Sequence, residues 1–204
     1  MTSNLRRLFA ASLLVAACTF VAGAAFSKDE KKDATYDPAS DPAMQEMMKY
    51  AMPGPMHASF KPMEGKFKAV VKTWVAPGAE PVVSEGVSDN SIILGGRYLE
   101  NKYTGSMMGQ PFEGFGLTGY DNKGKKIWST WIDNMSTKGM MMEGTMSADG
   151  KTMTCEGVAD GPDGKPMKYK TVTKVVDDKT HTYTMTTMEG GKEVPWMEIT
   201  YTRM

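Results

Sequence analysis

The sequence predicts an all-β protein, an antiparallel up-and-down barrel of about ten strands with a short N-terminal helix. Two alternating aromatic runs, at 112–120 and 127–133, flank the turn Asp121-Asn122-Lys123-Gly124, which is the pattern of a β-hairpin. From Gly65 onward, nine turn signals separate ten such segments and leave no room for a crossover helix, which disfavours parallel strands. The strands follow one another evenly, as in an up-and-down meander, which favours a barrel over a sandwich, and a sheet of ten strands tends to curl or split rather than stay open. The nine signals are Pro77-Gly78, Gly95-Gly96, Gly109-Gln110-Pro111, Asp121 to Gly124, Asn134 to Gly139, Asp149-Gly150, Gly161 to Gly164, Asp177-Asp178 and Gly190-Gly191.

The N-terminus has the pattern of a secretory signal peptide. Arg6 and Arg7 precede an apolar run without charge over residues 8–26. Ala22-Gly23-Ala24 is a small-x-small cleavage site, and Ala25-Phe26-Ser27 is a second. A basic start, an apolar centre and a small-residue exit define such peptides. We therefore expect residues 1–27 to be removed and the protein to be exported, to the periplasm or outside the cell. A transmembrane anchor is the less favoured interpretation, because the run is short for a span and rich in Ala and Gly.

Cys18 leaves a second form of export open. Val15-Ala16-Ala17-Cys18 is similar to the lipobox of bacterial lipoproteins, in which the cysteine is acylated. The apolar run continues through Thr19-Phe20-Val21-Ala22 instead of turning polar, which favours a cysteine that simply lies inside the signal peptide. We expect membrane association only if Cys18 is lipidated.

A linker and a helix precede the predicted barrel. Residues 28–40 are charged and small and predict a flexible linker. Asp41 and Pro42 mark a helix start, so the domain at 41–204 is expected to begin with a helix at 41–52. The apolar residues of this helix recur on one face, which we expect to cover one end of the barrel. They are Met44, Met47, Met48 and Ala51.

Charge and cysteine content exclude several classes of protein. The chain has 24 basic and 24 acidic residues, and loss of residues 1–27 removes two basic ones, which leaves a net charge of about −2. No basic stripe is present, so no nucleic-acid partner is expected. Cys155 is the one cysteine of the mature chain, which excludes an internal disulfide. Its alternation with Thr154 and Glu156 indicates a buried thiol on a strand.

Several segments, in order, resemble the bacterial domain-of-unknown-function family 1579, from about Gly65 to the C-terminus. That family is similar to the calycins, the lipocalin-type barrels, so the resemblance implies a barrel that binds small apolar molecules. It implies no catalytic residues. The segments are Ile93 to Glu100, Tyr103 to Gly114, Gly119 to Asn122, Ser129 to Asp133 and Glu198 to Arg203.

A local feature of lipocalin-like barrels has a counterpart here. Such barrels open with Gly-x-Trp, and an arginine near the C-terminus packs over the Trp ring. The corresponding residues are Gly65-Lys66-Phe67, with Phe in place of Trp, and Arg203. We expect a cation–π contact between Arg203 and Phe67, weaker than one with Trp.

The leading functional hypothesis is an exported barrel that binds a small, largely apolar molecule and does not transform it, with no cofactor. Trp131 is the first candidate for the lining, because it offers the largest apolar area in the most family-like strand. Tyr120 and Met142 are its expected neighbours. Aromatics occur on both strand faces, so Trp128 on the opposite face remains the alternative.

An enzyme is the first alternative. A carboxylate that faces an apolar cavity can have a raised pKa and act as an acid–base. Asp133 and Glu113 are the candidates, with Asp133 favoured because it shares a strand face with Trp131. Capping of the loop 134–139 is the structural interpretation of Asp133. No Ser–His–Asp spacing stands out, so the sequence favours a protein without catalytic activity.

A metal or haem protein is the second alternative. The chain has 20 methionines, and thioethers suit Cu(I) in an exported protein. Met44, Met47 and Met48 are the clustered candidates, although methionine also fills irregular cores and adaptable pockets. His181, at the start of the ninth strand, is the candidate ligand for haem. A strand-end histidine that lies in water is the favoured interpretation.

Overall fold

The computed structural model describes residues 39–161, 164–189 and 191–204. The predicted signal peptide, and the predicted linker up to residue 38, lie outside these residues. The described part contains two short α-helices, a 3₁₀ turn and ten strands. They are α1 Pro42–Ala51, α2 Pro55–Ala58, the 3₁₀ turn Lys61–Met63, β1 Gly65–Thr73, β2 Val82–Ile93, β3 Tyr98–Met107, β4 Gln110–Asp121, β5 Lys126–Asp133, β6 Met140–Met146, β7 Thr152–Asp160, β8 Pro166–Val175, β9 Thr180–Glu189 and β10 Lys192–Arg203.

The ten strands form a closed, antiparallel, up-and-down barrel. Each strand pairs with its neighbour in sequence, and β1 closes the barrel against β10 in a register that sets Phe67 opposite Arg203. The predicted fold class is confirmed. Strand order follows chain order because a turn or short loop connects each strand to the next, the longest being residues 74–81. In one of them, Asp121 accepts a hydrogen bond from the amide of Lys123 at 2.9 Å, which fixes the predicted β4–β5 hairpin.

The helix α1 starts as the sequence predicts. The Asp41 side chain accepts from the amide of Ala43 at 2.8 Å, and Pro42 occupies the first turn. The expected covering role is wrong, because no residue of α1 is buried; Met47 and Met48 are 54% and 44% exposed. In the described part of the chain, no helix has the length and apolarity needed to span a membrane.

The segment after α1 covers one end of the barrel instead. Phe60 is completely buried, and His57 and Met63 are nearly so. Phe60 and Met63 join a core cluster that includes Leu99 and Ile127, which lie where β3 and β5 begin. We call this the closed end. The opposite end, where β5 finishes at Asp133, is called the mouth.

Candidate ligand-binding interior

The strand register decides which face of β5 lines the barrel. Trp131 lies opposite Gly116 and Ser129 opposite Thr118, on the same face as Ile127, which is completely buried. Trp128 lies on the other face, where its ring contacts that of Tyr98 at 5.5 Å between centroids. Trp131 therefore faces the interior and Trp128 faces outward.

At the mouth, Trp131 is held flat against the barrel wall. Its indole N–H donates to Oδ2 of Asp133 at 2.9 Å, and its ring stacks on Phe112 at 6.4 Å between centroids. A Cβ on Gly114 would lie 2.1 Å from Cζ2 of Trp131, so the ring occupies the space that a side chain would fill. The ring is half-buried, so part of it stays accessible at the mouth.

Two interior tyrosines lie on glycines in the same way. A Cβ on Gly86 would meet the hydroxyl of Tyr103 at 2.3 Å, and a Cβ on Gly157 would meet that of Tyr169 at the same distance. The Tyr169 hydroxyl donates to the carbonyl of Met141 at 3.1 Å. The Tyr103 hydroxyl is buried without a partner. Each ring therefore packs over a glycine of a neighbouring strand, in space that a larger side chain would fill.

Two further tyrosines, Tyr183 and Tyr201, project into the middle of the barrel. Tyr183 lies opposite Ile199 and Tyr201 opposite Ala69, and both of these partners are buried in the core. Burial strongly raises the pKa of both hydroxyls; the nearby Tyr201 raises that of Tyr183 further, as Tyr103 does that of Tyr201. Both hydroxyls therefore stay protonated inside the barrel.

The interior also holds a polar network near the closed end. Oγ of Ser88 donates to Oδ1 of Asn90, and Nδ2 of Asn101 donates to both, each at 2.7 Å. Nδ2 of Asn90 donates to the carbonyl of Met63 at 2.8 Å. This network attaches the covering segment to β2 and β3.

His181 is buried, and the expectation that it lies in water is wrong. It is 5% exposed, stacks on Tyr201 at 4.4 Å and meets the edge of Phe67 at 4.6 Å. Burial, and secondly the charge of Arg203, lower the pKa of His181 to about 4. Its Nδ1 has no hydrogen-bond partner. The imidazole is therefore neutral near pH 7 and packs as an aromatic ring.

The three residues predicted to line a pocket all face the interior at different heights. Trp131 lies at the mouth. Met142 is opposite Ser129, is buried and accepts from the Thr171 hydroxyl at 3.8 Å. Tyr120 lies at the closed end, where its ring contacts that of His57 at 5.8 Å. The structure does not bring Tyr120 and Trp131 together, and their role in binding stays a prediction.

The two predicted acid–base carboxylates face different ways. Glu113 is exposed, and its neighbour Gly114, not Glu113 itself, faces the interior opposite Asp133. Asp133 accepts from the Trp131 indole with one oxygen and from the amide of Met135 with the other, at 3.0 Å. Asp133 therefore both caps its loop and orients Trp131.

The predicted metal candidates are also separated. Met44, Met47 and Met48 lie on α1, whereas His181 lies inside the barrel. Among the described residues, no group of three or more His, Cys, Asp or Glu side chains could hold a metal ion. Burial raises the pKa of the Cys155 thiol to about 11, which keeps it protonated, as expected for a structural cysteine.

The interior tyrosines are the functional candidates that sequence reasoning missed. Tyr103, Tyr169, Tyr183 and Tyr201 come from β3, β8, β9 and β10, and Tyr103 and Tyr201 meet only because β1 joins β10. The signal was available in the alternation of their strands. Tyr183 shares a strand face with Met185, and Tyr201 with Ile199.

A family model for a protein of unknown function, DUF1579, matches residues 52–203. Among proteins of curated function, none matches the chain. The crystal structure of Rv2717c from M. tuberculosis is similar, with 14% identity and a TM-score of 0.56 over 75% of this chain and 99% of that one. This likeness supports the barrel fold alone.

Two other solved structures are also similar. A redesigned beta barrel, b11L5F_LGL, has 12% identity and a TM-score of 0.41 over 74% of this chain and 99% of that one. EF1p2_mFAP2b, bound to DFHBI, has 9% identity and a TM-score of 0.41 over 73% of this chain and 99% of that one.

Proposed function

This chain belongs to the DUF1579 family of proteins of unknown function, and we propose that it binds a small, largely apolar molecule inside its barrel without transforming it. The observation that carries the proposal is the position of Trp131, held against the wall at the mouth with its ring half-buried. An eight-stranded barrel is just wide enough for side chains or one small ligand. Ten strands enclose more space.

The surfaces around that space suit an apolar ligand. Phe112 and Trp131 provide aromatic faces at the mouth, and Met142 and Met185 lie deeper in the core. Methionine side chains adapt to irregular shapes. A mostly apolar lining with a few polar groups is typical of small-molecule sites.

The positions of the carboxylates favour binding over catalysis. Both oxygens of Asp133 accept hydrogen bonds from the chain itself, which gives this residue a positioning role. Glu113 points away from the interior. A general acid or base must reach its substrate within hydrogen-bond distance, and Glu113 does not meet that condition.

The test is binding of 1-N-phenylnaphthylamine, a neutral apolar fluorophore that brightens in apolar surroundings. We expect saturable binding to the wild type, and Trp131→Ala to weaken it by more than about 1 kcal/mol, or roughly fivefold. Trp128→Ala is the matched control, since it removes the same side chain from the outer face. Circular dichroism checks that both variants keep the sheet.

Two results would contradict the proposal. One is a wild-type protein that gives no saturable signal and yields no small molecule on extraction. The other is an equal loss of affinity in both tryptophan variants, since that would place the fluorophore on the outer surface. An unfolded Trp131→Ala protein would assign Trp131 to the core and refute its role as a lining residue.

We propose further that the protein is exported, on the strength of the apolar run at 8–26 behind Arg6 and Arg7. The intact mass of the protein from its native host should correspond to an N-terminus near Ala25 or Lys28, without lipid. A diacylglycerol adduct that disappears in Cys18→Ser would instead identify a lipoprotein.

A further inference from the structure

The hydroxyls of Tyr183 and Tyr201 differ from those of the other interior tyrosines. Neither hydroxyl has a hydrogen-bond partner among the described residues. The Tyr103 hydroxyl also lacks a partner but is fully enclosed, whereas the hydroxyls of Tyr183 and Tyr201 are not. Both rings are half-buried although they point into the barrel. Each hydroxyl is therefore open to a space inside the protein and has an unused donor proton.

These donors are costly unless something accepts from them. An interior hydroxyl that is left without any acceptor costs about 1–3 kcal/mol, so each of these two needs one. No side chain or carbonyl of the described residues accepts from either hydroxyl, and Thr173, which lies opposite Tyr183, is not hydrogen-bonded to it. The acceptor therefore comes from a molecule inside the barrel, which is water when no ligand is bound and the ligand once it displaces that water.

The charge of the interior limits what that partner is. Between the two rims, the inward face of the described strands carries no charged side chain. Asp133 lies at the mouth, and Arg203 at the closed end donates to the carbonyls of Pro62, Glu64 and Asp178. An ionised ligand group would lose its hydration without gaining a counter-charge, which is strongly unfavourable. A neutral acceptor meets no such penalty.

We propose that the interior ligand is a neutral molecule that presents a carbonyl or comparable oxygen or nitrogen acceptor to the hydroxyls of Tyr183 and Tyr201. This inference rests on the proposed function and gives it a ligand class. The apolar body of the molecule would lie toward Trp131 and the mouth, with the acceptor at the depth of the two tyrosines.

The test uses two probes of the same shape, 2-acetylnaphthalene and 2-isopropenylnaphthalene, which differ by a carbonyl oxygen in place of a CH₂ group. The quantity measured in each variant is the ratio of the two dissociation constants. Any effect of a substitution that acts equally on both probes cancels in this ratio. Tyr183→Phe and Tyr201→Phe should each lower the preference for the ketone about threefold to tenfold, which is the range for loss of one hydrogen bond. Tyr169→Phe is the control, because its hydroxyl is occupied by Met141, and it should leave the ratio unchanged.

Each outcome is decisive. An unchanged ratio in both test variants, with both probes bound, overturns the ligand class and leaves apolar binding intact. A fall of equal size in Tyr169→Phe also overturns it. If neither probe nor 1-N-phenylnaphthylamine binds the wild type, the proposed function fails as well. Unfolding of both test variants would show that the hydroxyls hold the fold and would refute the inference.

Discussion

The guanidinium of Arg203 lies over the ring of Phe67, with Cζ 4.6 Å from the ring centroid. The same guanidinium donates to the carbonyls of Pro62 and Glu64, each at 2.7 Å. The last residue of β10 thus holds both the first buried residue of β1 and the segment that covers the closed end. The contact expected from the resemblance to lipocalin-like barrels is confirmed.

Replacing Arg203 should loosen the closed end. Arg203→Lys keeps the charge but cannot make the planar, multiple contacts of the guanidinium, and it leaves the partly buried carbonyls of Pro62 and Glu64 without their donors. We expect a loss of about 2 kcal/mol in the free energy of unfolding, measured by urea denaturation. Arg97→Lys is the control, because Arg97 donates to the exposed carbonyl of Leu94, and it should change stability by less than about 0.5 kcal/mol. Equal losses would mean that the contacts of Arg203 do not stabilise the barrel.

The covering segment and α1 should differ in their contributions to stability. Phe60→Ala removes a completely buried ring and should cost about 3–5 kcal/mol. Met48 lies on α1 and its side chain is 44% exposed, so Met48→Ala should cost less than about 0.5 kcal/mol. Thermal unfolding of the two variants measures both. A large effect of Met48→Ala would show that α1 packs on the barrel after all.

The sequence predicted the strands and turns because both depend on local chemistry. Alternation and turn residues such as Asp121 act within a few positions along the chain. Which face of β5 is buried could not be decided in this way, since Trp128 and Trp131 are equally apolar. The register against β4, which places Trp131 opposite Gly116, decides it.

The features that sequence reasoning missed depend on closure of the barrel. Strand position alone placed His181 in water, but Phe67 from β1 and Tyr201 from β10 enclose it. The covering role was assigned to α1 from its apolar periodicity. Phe60 takes that role instead, and the short segment around it has no comparable period from which to predict it.

His181 should make stability dependent on pH. Burial lowers its pKa to about 4, below the value near 6.5 of an unfolded chain, so protons bind more readily to the unfolded state. The free energy of unfolding is therefore highest above about pH 6.5 and decreases as the pH falls toward 4. The decrease due to His181 is at most about 3 kcal/mol. We expect His181→Phe to flatten the stability profile in this range.

His57 is the control for that measurement. Burial also lowers the pKa of His57, so His57 makes its own contribution to the pH dependence of stability. The His57→Asn variant should lose that contribution and keep the one that comes from His181. Urea denaturation at intervals between pH 4 and 7 measures each profile. A profile for His181→Phe as steep as that of the wild type would contradict a neutral, buried imidazole.

The last prediction concerns the glycines beneath the interior rings. The three atoms nearest to a Cβ on Gly114 all belong to the ring of Trp131, with Cζ2 at 2.1 Å, whereas the nearest atom to a Cβ on Gly144 is the backbone carbonyl oxygen of Thr154, at 1.8 Å. A ring at the open mouth can move aside, and a paired strand cannot. We therefore expect Gly144→Ala to cost about 3 kcal/mol or more, and Gly114→Ala to cost about 1 kcal/mol while it pushes Trp131 off the wall. That displacement breaks the bond to Asp133, so Gly114→Ala should change the near-ultraviolet circular dichroism and weaken binding of 1-N-phenylnaphthylamine, as Trp131→Ala does. Equal destabilisation by the two alanines, with the tryptophan signal unchanged, would show that the Trp131 ring is fixed in the core and does not border an open mouth.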